Sequence, residues 1–101
     1  MPNGNAAALS LIERQLKELD AIFKQASVDL NTVAGSERVA KWKKQTIPML
    51  AEQVGQKEAQ RFAATDPGPS FTNDLLEELS DEVETYRNFL TQLSQQLRKS
   101  G

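Results

Sequence analysis

The chain has 101 residues, enough for one domain with a single modest core. Hydrophobic residues make up 39% and charged residues 26%, with a net charge of −2; this is the balance of an ordinary folded domain, without the basic excess of a nucleic-acid binder. Histidine and cysteine are both absent, which removes disulfides, thiolate metal sites and the usual general base; no apolar run approaches the ~20 residues of a membrane span.

Residues 1–5 contain Pro2, Gly4 and two asparagines and read as a flexible tail ahead of a single helical domain, residues 6–101. The first helix is predicted from Ala6 to Ala26. Its apolar positions Leu9, Ile12, Leu16, Leu19, Phe23 and Ala26 alternate in steps of three and four, and Leu11 and Ile22 widen the stripe. Glu13 with Lys17 and Asp20 with Lys24 are spaced for helical ion pairs on the opposite face.

The stretch 27–35 is rich in turn formers and β-branched residues and reads as a connection, with Leu30 and Val33 tucked beneath the bundle. Ser36 is the expected N-cap of a second helix reaching Val54, stopped by Gly55. Its inward positions are Val39, Trp42, Thr46, Met49 or Leu50, and Val54. Pro48 predicts a kink, or a break with Thr46 capping a second half.

A short third helix is expected from Gln56 to Ala64, with Ala59, Phe62 and Ala63 on its apolar side. Two prolines and a glycine then enforce a loop from Thr65 to Ser70. For the fourth helix, Thr72 is the expected N-cap, with Phe71 and Leu76 as a hydrophobic staple. Its stripe runs Leu76, Leu79, Val83, Tyr86, Leu90, Leu93, Leu97, broadened by Leu75 and Phe89. At about 1.5 Å per residue this helix spans roughly 40 Å.

The predicted fold is therefore all-α and four-helix bundle-like. Its long N- and C-terminal helices are antiparallel neighbours, its second helix is kinked at proline, and its third is short. The stripes also fit a coiled coil, but their width favours the inside of a bundle. The last helix looks longer than the first can cover. Its end, at Leu90, Leu93 and Leu97, is accordingly a candidate surface for self-association or a protein partner.

A second candidate is the basic segment from Arg38 to Lys44, where Lys41, Lys43 and Lys44 surround Trp42. Such a segment can bind phosphate while the indole stacks on a base. The alternative is that Trp42 anchors the core and the lysines are solvated. The acidic segment from Asp74 to Glu84 holds Asp74, Glu77, Glu78, Asp81, Glu82 and Glu84. It suits an inhibitor facing a basic partner, as in small phage-encoded antagonists, or simply complements the helix dipole. No phosphate-binding, dinucleotide or nucleophile-elbow motif occurs, and no EF-hand spacing. We therefore expect no catalytic residues, no cofactor and no metal, a cytoplasmic location, and a role in protein–protein interaction or oligomerisation.

Residues Ser36 to Phe62 carry Trp42, Lys43, Thr46, Leu50, Gly55 and Phe62 in a pattern of a Trp-Lys helix, an apolar-Gly stop and a later Phe. This quarter of the chain resembles the helical region ahead of TIR-like and other predicted nucleotide-binding effector domains in bacterial defence proteins. Pro48 departs from that pattern. The resemblance implies a helical adaptor or oligomerisation module.

Overall fold

The structure, a computed structural model, describes residues 5–68 and 73–100. Four helices follow in order: α1 (Ala6–Asp29), α2 (Thr32–Gln53), α3 (Gln56–Ala64) and α4 (Leu75–Ser100). Among the described residues there is no strand. The fold is the all-α bundle that the periodicity predicts.

The long helices pack because their apolar stripes share one core. Leu11, Ile12, Leu19 and Ala26 of α1 meet Val39, Trp42 and Leu50 of α2 and Leu79, Val83, Tyr86, Leu90 and Leu93 of α4. The short α3 returns along α2 and closes the remaining edge. It inserts Phe62 edge-on to Trp42, 5.8 Å between ring centres, and to Tyr86 at 5.7 Å. Lys43 completes this aromatic corner. Its ammonium lies 4.7 Å from the centre of the Tyr86 ring and donates to the Thr65 carbonyl at 2.6 Å, tying down the start of the loop after α3.

The direction of α1 against α4 is fixed by polar contacts at three levels. The Asn5 side-chain amide donates to the Leu97 carbonyl at 2.7 Å, Arg98 approaches Glu13 at 3.6 Å, and Arg87 pairs with Asp20. The two helices are antiparallel, as predicted. Glu13 and Asp20 thus pair across helices rather than with Lys17 and Lys24. Asn5, assigned from composition to the flexible tail, is bonded into the bundle; residues 1–4 lie outside the described residues.

Three other expectations change. The connection between α1 and α2 is only Leu30 and Asn31. Asn31, not Ser36, caps α2, its side-chain oxygen accepting from the Ala34 amide at 3.1 Å. The helix then continues through Gly35, which is buried against Ala26. Pro48 lies inside a helix that is continuous to Gln53, and Thr46 caps no second half. Instead the Thr46 hydroxyl donates to the Trp42 carbonyl and accepts from the Gln15 side chain, each at 2.7 Å. Leu50, not Met49, is the inward residue. The expected N-cap Thr72 and Phe71, the expected staple partner of Leu76, lie outside the described residues. At the observed start of α4, Asp74 accepts from the amides of Leu76 and Glu77 at 3.0 and 3.3 Å.

Candidate functional site

The residues singled out from sequence are not brought together. Trp42 is 3% exposed, and its indole N–H donates to the Gln15 carbonyl at 3.1 Å. An indole so enclosed offers no face to a base. Lys43 is committed to Thr65 and Tyr86, whereas Arg38, Lys41 and Lys44 are exposed. Leu90 and Leu93 are buried in the core and Leu97 is partly buried against it. The expectation that α4 outruns α1 at this end does not hold, because Asn5 reaches the Leu97 carbonyl and α1 covers the stripe to its end. These leucines serve the fold.

The opposite end of the bundle looks different. Both α2 and α4 start there, because each runs antiparallel to α1. Val28 is 72% exposed, Leu30 77%, Val33 63% and Leu75 57%. Among the described residues, the only other exposed large hydrophobic side chain is Met49, at 37%. Leu30 and Val33, expected beneath the bundle, therefore face outward. Leu30 also holds a left-handed backbone, φ 55° and ψ 28°, at the C-terminus of α1. A side chain there costs roughly 1–2 kcal/mol relative to the usual helical conformation, which is why glycine is favoured at such ends.

Between the first turns of α2 and α4 lies a groove of about 290 Å³. Thr32, Val33, Ser36 and Glu37 form one wall, and Leu75, Glu78, Leu79 and Glu82 the other. Leu79 is buried and supplies an apolar floor, while Val33 and Leu75 stand at the mouth. The acidic segment contributes only Glu78 and Glu82 to this groove; Glu37 comes from α2. None of the three forms a salt bridge among the described residues. Burial pushes the Glu82 carboxyl above its ordinary value, Lys43 pulls it back in part, and Glu78 pushes it up again.

No known family, curated protein or solved structure matches the chain. Among the described residues, no helix is long and apolar enough to cross a membrane.

The groove escaped the sequence reading because it depends on α2 and α4 starting side by side. The pattern did contain a signal. Leu75 precedes the α4 stripe, which it only broadens, and Val33 precedes the inward positions of α2.

Proposed function

We propose that this chain is a non-catalytic helical module for protein–protein interaction, and that its docking surface is the end of the bundle where α2 and α4 begin. The observation that carries this reading is the gathering of Val28, Leu30, Val33 and Leu75, all exposed, at that one end. Apolar side chains scattered singly need no explanation, but a group rimmed by charge marks a contact surface. The groove with its apolar floor gives such a contact depth. The strained Leu30 supports it further, because the fold would be served better by glycine there. The resemblance of the stretch from Ser36 to Phe62 to adaptor helices points the same way.

The test is site-specific photocrosslinking in the native cells, with the crosslinking residue at position 75 and, for comparison, at the exposed Glu52. A discrete protein adduct from position 75 that disappears in the Val33→Ser variant, while Glu52 gives none, supports the reading. No adduct from position 75, or equal adducts from both positions, overturns it. Val33 is exposed, so its replacement leaves the fold intact, which circular dichroism checks.

A further inference from the structure

The groove is one end of a longer valley between α2 and α4. Further along, α3 fills that valley: Phe62 packs on Trp42 of α2 and on Tyr86 and Phe89 of α4. Helix α3 ends at Ala64, and the Thr65 carbonyl is held by Lys43. The charge of Lys43 reaches Glu82, the last residue of the groove on α4. The groove therefore begins where α3 stops. Among the described residues, only α2 and α4 line it. Its longer wall runs from Leu75 to Glu82, two turns or about 10 Å of helix.

The charge in the groove is of one sign. Glu37 stands on the α2 wall, Glu78 and Glu82 stand on the α4 wall, and no lysine or arginine lines either. The three carboxylates form no salt bridge among the described residues. The helix dipole accounts for Glu78, which lies in the first turn of α4. That effect fades beyond the first turn. It leaves Glu37 and Glu82 unexplained, because the first turn of α2 holds no acidic residue and Glu82 is two turns into α4.

Carboxylates on both walls of an apolar trough are matched by cations on both sides of an apolar stripe. That is the pattern of an amphipathic helix whose leucines are flanked by lysine or arginine. Long basic side chains suit the place, since their stems lie along Val33 and Leu75 while their heads reach the glutamates. A neutral or acidic helix would cover Glu82 and leave the repulsion from Glu78 unrelieved.

We propose that the occupant of the groove is a basic amphipathic helix of another protein, seated between α2 and α4 in line with α3. Its apolar residues rest on Val33, Leu75 and Leu79, and its lysines or arginines meet Glu37, Glu78 and Glu82. This rests on reading that end of the bundle as a docking surface and adds the chemistry of the partner.

The experiment is a fluorescence-anisotropy titration of the purified full chain against two labelled peptides of about 15 residues, long enough to form a helix. Both carry the same leucine stripe; one has lysine on either side of it and the other has glutamate at those positions. Three proteins are compared: wild type, a Glu37→Lys/Glu78→Lys variant, and a Glu18→Lys/Glu52→Lys variant with the same change of charge away from the groove. All four positions are exposed, so each variant folds, which circular dichroism verifies. Wild type should bind the lysine peptide saturably and at least roughly tenfold more tightly than the glutamate peptide. The groove variant should lose that preference and the remote variant should keep it. The proposal is overturned by a wild type that does not saturate, by equal binding of the two peptides, or by an equal loss in the remote variant, which would show attraction to overall charge alone. A protein adduct from position 75 that persists in the Glu37→Lys/Glu78→Lys variant would sink this inference and leave the docking surface standing.

Discussion

Gly35 of α2 and Ala26 of α1 hold their helices at a separation with no room for another carbon. A Cβ on Gly35 would stand 2.7 Å from the Cβ of Ala26 and 2.9 Å from a methyl of Leu79. Three helices converge at this point, directly beneath the groove. The glycine is required by close approach, although it interrupts a helical run.

Replacing Gly35 with alanine should therefore destabilise the domain. In an open helix the change gains about 1 kcal/mol. Here overpacking costs roughly 1–3 kcal/mol, and the Ala26 Cβ has no rotamer with which to yield. The expected net loss is up to about 2 kcal/mol, read as a lower urea midpoint at unchanged slope. A raised midpoint would show that α1 and α2 are not so close.

The Gln15–Thr46 pair offers a second test. Both side chains are buried, and the Gln15 amide donates to the Thr46 hydroxyl while its own Oε1 has no partner. Thr46→Val strands the amide and should cost about 1–3 kcal/mol. Gln15→Met combined with Thr46→Val removes both polar groups and should cost less than the sum of the two single changes, with a coupling of about 0.5–3 kcal/mol. A double-mutant cycle by chemical denaturation checks this; simple additivity would refute the pairing.

Tyr86 predicts a pH dependence. Burial, then the carboxylates of Glu82 and Asp66, push its phenol up to about 12 from an ordinary value of 10.0. The folded state thus favours the neutral phenol. This contribution is complete below the unfolded value and is lost as pH rises from about 10 to about 12. Tyr86 is the only tyrosine, so its phenolate absorbance reports it alone. The ionisation should occur above the ordinary range and together with loss of helical signal; ionisation near the ordinary value with the fold intact would contradict it.

Much of the fold can be read directly from residue order. The bounds of α3 match the expectation because Gly55 and the prolines after Asp66 punctuate it on both sides. The α4 stripe was legible because its apolar steps persist over several turns. The start of α2 was not, since Val33 and Gly35 are poor helix formers and tertiary packing of Gly35 on Ala26 overrode that preference. Gln15 was missed because a polar side chain in a core becomes legible only once its partner, the Thr46 hydroxyl, is opposite it. The groove was hidden for a related reason: an apolar residue outside a stripe reads as extra packing until the neighbouring helices are in place.

Leu30 carries one more consequence. A left-handed, solvent-facing leucine gives up stability that glycine would restore, at the two-residue turn that sets the angle between α1 and α2. Stability and stickiness are therefore separable in this domain. An engineer seeking an inert scaffold from the same sequence would begin with Leu30→Gly, which should yield a tougher protein with less to hold on to.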